Sequence, residues 1–256
     1  MNEPDPSDVD DLLTLDPPGR IIVVGAGPLG IEAALYGRFL GYDVSLIEAA
    51  EVGHSMREMA DLDLSIFPDR CLSTLARAAL DAQREESVGQ TLPLTVAQWI
   101  DDALIPLTET DLLRGRLLAP VRVTQIVTVP VEADEEEEVE ELDSIPPDFR
   151  LTVIAEEGQT SYLDAEAVII AVGCQLQIEL GFPLPAPYLF RIGAAASEDW
   201  QASLLSGHRE SVAVCSKLAG RAVLDLYRPK LVCVAATVLT VRGAGTFSLP
   251  VRRGVW

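Results

Sequence analysis

Gly25-Ala26-Gly27-Pro28-Leu29-Gly30 spaces three glycines as GxGxxG, and Glu48 follows 18 residues after Gly30. In such a turn the first glycine permits a tight reversal from strand to helix. The second lets backbone approach a pyrophosphate with no Cβ in the way, and the third lets helix and strand pack closely. A helix opening here offers unpaired N–H groups and a partial positive charge to phosphate oxygens. A carboxylate at Glu48 suits the hydroxyls of an adenosine ribose and disfavours a 2′-phosphate. These residues predict a dinucleotide site, and they do not by themselves separate FAD from NAD.

The elements that must position these groups surround them. Ile21-Ile22-Val23-Val24 is a short, continuous apolar run rich in β-branched residues, the pattern of a parallel strand buried on both faces. Leu29, Ala33, Ala34 and Leu40 recur at helical spacing and predict a helix from Pro28 to about Leu40, with Gly41 at its C-terminal end. Val44 to Ile47 reads as a second strand, completing a βαβ start. Residues 50–118 read as a helical insertion, with helices over Leu72 to Ala82 and Val96 to Leu107 and with Pro93 and Pro106 as punctuation. Val121 to Val131, Phe149 to Ala155 and Ser161 to Leu163 predict a three-stranded β-meander, with Glu157-Gly158 as a turn. Ala167 to Val172 and Tyr188 to Ile192 predict further strands ending at Gly173 and Gly193. An apolar stripe at Val212, Cys215, Leu218, Ala219, Ala222, Val223 and Leu226 predicts a helix from Gly207 to about Tyr227, stopped by Pro229. The expected fold class is α/β: a Rossmann-type parallel sheet with a β-meander and a helical insertion, in one domain over residues 20–228. Residues 229–256 are expected to form a C-terminal tail or an edge strand.

Composition narrows the functions this fold can serve. The 256 residues are 48% hydrophobic and 23% charged, the balance of a soluble globular chain. Forty acids against 19 bases give a net charge of -21, which excludes a generally basic surface for nucleic acid or anionic lipid. Residues 1–19 hold six acids and no base, and residues 132–148 hold ten acids and no base. Their like charges resist packing, so a disordered acidic tail and an acidic loop are expected there. Cys71, Cys174, Cys215 and Cys233 form no CxxC pair, and the two histidines stand 154 residues apart, so no metal site is expected. The N-terminal residues MNEPDPSDVDD lack the pattern of a signal peptide, and no apolar run is long enough to span a bilayer. A reducing, cytoplasmic setting with no membrane partner is expected. No GxSxG elbow or P-loop motif points to hydrolase or NTPase chemistry.

The stretch IIVVGAGPLGIEAALYGRFLGYDVSLIEA, the following GHSMRE, the strand VIIAVG and the late YLFRIGAAAS resemble the FAD domain of two-dinucleotide-binding flavoproteins. The resemblance is especially to flavin-containing monooxygenase-like and pyridine nucleotide oxidoreductase-like proteins. The resemblance covers about residues 20–227. It implies that Gly25, Ala26, Gly27, Pro28, Leu29, Gly30, Glu48 and Ala49 hold the ADP half of FAD, and that Val123 meets adenine through its backbone. It further implies that Ala171 and Gly173 form the family's Ala-Thr-Gly-like turn, with Val172 in place of threonine. Gly193-Ala194 stands where the family has Gly-Asp, whose carboxylate binds a ribityl hydroxyl. Loss of a hydrogen bond to such a charged group is worth about 1.5–3 kcal/mol. FAD is therefore expected to be held loosely, with backbone N–H groups near Ala194 and Ala195 serving the pyrophosphate or ribityl chain.

The family commonly nests an NADPH domain between these last two strands, whereas only Cys174 to Tyr188 separates them here, and no second GxGxxG exists in the chain. NAD(P)H is then a transient donor, or electrons come from a partner protein or the substrate. By the same resemblance Arg57 is expected to neutralise a phosphate, with His54 in a structural or phosphate-binding role. His208 and Arg209 fall on the first turn of the helix expected from Gly207, whose positive end would favour flavin reduction. Trp200 either covers the flavin or packs under a loop. No catalytic residue is identified. The expected function is a small FAD-binding oxidoreductase without its own nicotinamide domain. The alternatives are a non-catalytic dinucleotide-binding or interaction module derived from such a flavoprotein, and an NAD-binding protein.

Overall fold

A parallel strand apolar on both faces needs a layer on each side, and the chain supplies both. The computed structural model describes residues 14–64, 70–83, 95–130, 147–173, 177–194 and 200–221. Strand β1 (Arg20–Val24) leads through the glycine turn into α1 (Pro28–Phe39) and then β2 (Asp43–Ile47). Helices α2 (His54–Arg57), α3 (Thr74–Ala82), α4 (Val96–Trp99) and α5 (Ile105–Thr108) come after β2, with a π-helical segment, Ile100–Leu104, joining the last two. Pro106 has no N–H to return to the carbonyl four residues earlier, and a π turn absorbs that fault.

Strands β3 (Leu117–Leu118), β4 (Val121–Val129), β5 (Asp148–Ala155), β6 (Thr160–Ala165), β7 (Ala167–Ile170), β8 (Glu179–Leu180) and β9 (Leu189–Arg191) come next. Helix α6 (Trp200–Leu218) ends the described elements. Five strands form a sheet in the order β3-β2-β1-β7-β9, every pairing parallel. The other four form a second sheet, β6-β5-β4-β8.

The period of two along each strand explains the three layers. Ile21 and Val23 of β1, Val44 and Leu46 of β2, and Ala167 and Ile169 of β7 join the core under the helices. Ile22, Val24, Ile47, Val168 and Ile170 point the other way, into a core shared with Ile126, Phe149, Leu151 and Val153 of the second sheet. The helix layer is tied together by polar groups as well. Buried Glu32 of α1 accepts a hydrogen bond from the Ser73 N–H at 2.7 Å, and Ser73 caps α3 through the Ala76 N–H.

The α/β class, the parallel sheet, the meander and the helices between β2 and β3 are all present, and several boundaries differ from expectation. The last helix begins by Trp200 and not at Gly207. Gly207 lies inside it because α6 crosses α1 there, and a Cβ would overlap the Leu29 side chain. The meander gains a fourth strand, β8, parallel to β4, and the helical region ends in the sheet strand β3. Asp148, assigned to the acidic loop, opens β5.

Residues 14–19, assigned to the tail, are tied down. The Leu15 N–H donates to the Leu218 carbonyl at 2.7 Å, and the Tyr42 and Tyr188 hydroxyls donate to the carbonyls of Leu15 and Thr14. The acidic tail up to residue 13, residues 132–146 of the acidic loop, Cys174, Cys233, Ala195, the side chain of Trp200 and the segment 222–256 lie outside the described residues.

Candidate functional site

In the sheet order, β2 lies on one side of β1 and β7 on the other, so the chain switches direction at β1. Crevices at the carboxyl ends of parallel strands open at such a point. A cleft of about 420 Å³ lies there. The segments after β2, β1, β7 and β9 form its rim, and the start of β4 forms a wall.

The glycine turn builds the middle of the rim. Gly25 has φ +105, in the left-handed region, and a Cβ there would sit 2.8 Å from the Ala171 carbonyl oxygen. A Cβ on Gly30 would run into the Gly25 carbonyl oxygen, so this glycine lets α1 start directly above β1. A Cβ on Gly27 would meet no protein atom within 4 Å. Gly27 thus presents bare backbone to the cleft, a cradle that a side chain would fill. No side chain caps α1, and Pro28 opens it. The first-turn N–H groups and the helix dipole are left to act on whatever enters.

Glu48 builds the rim at the end of β2. Its carboxylate accepts the Ala26 N–H at 2.8 Å through Oε2 and the Ala50 N–H at 3.1 Å through Oε1. Its own backbone joins two strands: its N–H donates to the Leu118 carbonyl, and its carbonyl accepts from Val121. Each carboxylate oxygen keeps a second lone pair for a ligand hydroxyl. Val123, 5% exposed, lines the wall where β4 slips register against β5 between Val123 and Gln125.

The expected residues Gly25, Gly27, Pro28, Leu29, Glu48, Ala49, Val123, Ala171, Gly173 and Gly193 all line this one cleft. Ala26 and Gly30 are buried behind the turn and shape it from within. Arg57 and Ala194 are not among the lining residues. The Arg57 guanidinium pairs with Asp101 at 2.9 Å and Glu51 at 3.5 Å. Asp101 sits on the π segment, 44 residues away in sequence, where no local pattern announces it.

His54, in contrast, does line the cleft, 4.0 Å from Glu51. The Gly193 N–H, next to Ala194 and Ala195, whose N–H groups were expected to serve a ligand, donates to Glu210 Oε2 at 2.6 Å. His208 and Arg209 lie in the interior of α6, away from its first turn. His208 is buried and lies outside the cleft lining, and burial pushes its pKa down to about 4. Burial likewise pushes the Cys215 thiol up to about 12, which keeps it protonated and inert. Sequence reasoning missed Arg122, Gln177 and Ile178 in the cleft wall. Only the adjacency of Arg122 to Val123 hinted at any of them.

A second depression, about 590 Å³, lies at the opposite end of the strands and is lined by Arg20, Arg38, Arg116, Asp43, Asp148, Asp164 and Glu166. Arg116 pairs with Asp43, Arg150 grips Asp164 through two bonds, the Arg20 N–H donates to Glu166, and Arg38 donates to the carbonyls of Leu112 and Tyr42. It reads as a structural network at the foot of the sheet. Among the described residues no group of three His, Cys, Asp or Glu could hold a metal ion, and no helix is long and apolar enough to cross a membrane.

No family model and no curated protein matches the chain. Solved structures with similar segments include bacillithiol disulfide reductase from Bacillus cereus, at 14% identity over 60% of this chain and 40% of that one, with a TM-score of 0.42. The reduced form of ornithine hydroxylase from Pseudomonas aeruginosa matches at 16% identity over 62% of this chain and 40% of that one, with a TM-score of 0.43. Polycyclic ketone monooxygenase from Thermothelomyces thermophila matches at 15% identity over 65% and 25%, with a TM-score of 0.41. This chain thus spans well under half the length of each.

Proposed function

We propose that this chain is a FAD-binding flavoprotein of the oxidoreductase type, without a nicotinamide domain of its own between β7 and β9, in a reducing, cytoplasmic setting. One observation carries the proposal. At the carboxyl ends of β2, β1 and β7, a Cβ-free backbone cradle, an uncapped helix start and a carboxylate with free lone pairs border a single cleft. In that set the cradle and the helix start suit a pyrophosphate, and the carboxylate suits the hydroxyls of a sugar.

When bound, FAD supplies the electron transfer, and the protein supplies binding and orientation. Glu48 accepts the ribose hydroxyls. The first turn of α1 and the bare backbone at Gly27 take the pyrophosphate. The backbone around Val123 flanks the adenine, and the turn at Ala171 to Gly173 supports the chain beyond the phosphates. Arg57, locked by two acids, has no part in this binding. A donor of electrons binds transiently, or arrives as a partner protein or as the oxidisable substrate.

The test is the visible absorbance of protein purified without added cofactor, before and after anaerobic NADH or NADPH. Yellow protein bleached by a nicotinamide supports a reductase. Yellow protein left unbleached keeps FAD and moves the search to another donor. Colourless protein that neither takes up FAD nor is stabilised by it overturns the proposal.

A further inference from the structure

Strand β6 is an edge: β5 pairs with it on one side, and among the described residues no strand pairs with it on the other. It is six residues long, and Thr160, Ser161 and Tyr162 are exposed, the tyrosine by 64%. The other sheet edges, β3, β8 and β9, are two or three residues long. An edge of this length, with N–H and C=O groups open along it, is a template for another strand unless the fold covers it. The chain leaves the described fold close to the foot of β6. The end of α6 is tied to the segment before β1, where the Leu15 N–H donates to the Leu218 carbonyl at 2.7 Å. A turn closed by the Gly19 N–H and the Asp16 carbonyl then leads to Arg20, which exchanges hydrogen bonds with Glu166, the residue after β6. Leu15 and Arg20 are at most about 18 Å apart along the chain, and the nine residues 222–230 can reach about 32 Å.

We infer that residues 231–241 of this chain dock on the outer edge of β6 as an antiparallel strand, starting at the foot beside Ala165 and running toward Thr160. The run, LVCVAATVLTV, has no charge, no proline and no glycine, and six of its eleven residues are β-branched. Both of its faces are apolar, and the position calls for that: Leu163 of β6 packs toward the core, and Tyr162 stands on the outer face. The direction follows from the path, since β6 ends at the foot and the run sets out from there. Charge agrees with it. Arg228 and Lys230 come just before the run, and the foot of the β5–β6 ladder carries Asp148, Asp164 and Glu166. Burial, and then Glu166 and Asp164, push the Asp148 carboxyl above its ordinary pKa, so this corner has room for a further cation. The free edge of β9 is a worse place. Helix α6 packs on the same side of the sheet as α1, and a parallel strand beyond β9 would need a left-handed crossover. None of this depends on what the cleft binds.

Hydrogen–deuterium exchange of the full chain, read by mass spectrometry, tests the docking. Ala235→Pro takes an N–H from the middle of the run and blocks its pairing as a strand. Exchange in the peptide covering β6 is expected to become at least about tenfold faster in this variant than in the wild type, while the peptides of β1, α1 and β7 exchange as before. Cys233 gives a second reading, because it falls opposite position 163 when residue 231 lies beside Ala165. In the full chain carrying Leu163→Cys, mild oxidation is expected to join position 163 to Cys233 within one chain, as read by peptide mapping, with light scattering showing a monomer. Exchange in β6 that is the same in wild type and Ala235→Pro overturns the inference. A joint between two chains, or protection of β6 that grows with protein concentration, gives the edge to a second copy and also overturns it.

Discussion

Replacing Glu48 with glutamine tests whether the acid organises the turn as well as serving a ligand. The carboxylate is half-buried and receives two backbone N–H groups, from Ala26 at 2.8 Å and Ala50 at 3.1 Å. Glutamine has one acceptor oxygen, and its other terminal atom is a donor. In Glu48→Gln one of the two N–H groups therefore faces an NH₂, and the surviving bond loses its charge. Losing a single bond to a charged acceptor costs about 1.5–3 kcal/mol, so about 2 kcal/mol is expected. For a chain of this size that lowers the melting temperature by about 4–8 °C. The assay is a far-UV circular dichroism melt without ligand, beside urea unfolding. Glu51→Gln serves as control, since Glu51 is exposed and its ion pairs are worth about 1 kcal/mol or less. If Glu48→Gln melts within about 1 °C of the wild type, the two N–H bonds contribute nothing and the ordering of the turn has another source.

Gly30→Ala places a Cβ against the Gly25 carbonyl oxygen and is expected to cost about 3 kcal/mol or more, read as loss of soluble folded protein or of the cooperative melt. Arg57→Ala is expected to leave dinucleotide affinity within about twofold of wild type by calorimetry, and to cost no more than about 1 kcal/mol of stability, because its partners are carboxylates on a partly exposed surface. Burial holds the folded-state pKa of His208 near 4, below its ordinary 6.5, so between these values the unfolded chain takes a proton that the folded chain refuses. Stability is then lost as the pH falls from about 6.5 to about 4, by about 3 kcal/mol from this group. The difference between wild type and His208→Leu in urea unfolding across that range isolates the effect, and parallel curves would show that His208 does not cause it.

The glycine turn, α1 and the first two strands were legible because their signals are local. A run of β-branched residues, a GxGxxG and a 3.6-residue period all lie within 30 positions. Strands β3 and β8 were not, since two residues have no period and exist as strands only through parallel partners far along the chain. Gly207 misled for a physical reason: glycine weakens a helix and so suggests an end, yet here it allows α6 to touch Leu29. The pairing of Arg57 with Asp101 could not be read from the sequence, because it is a contact made through the helical insertion 44 residues away. Glu210 had no visible role, because the strand end it supports comes near only when α6 docks on α1.

The most direct test is an equilibrium titration of the purified full chain with FAD, and then competition with ADP. A dinucleotide cleft at the glycine turn predicts one FAD per chain, displaced by ADP at saturating concentration because both use Glu48 and the start of α1. No binding of FAD or ADP, or bound FAD that ADP leaves in place, would contradict that assignment.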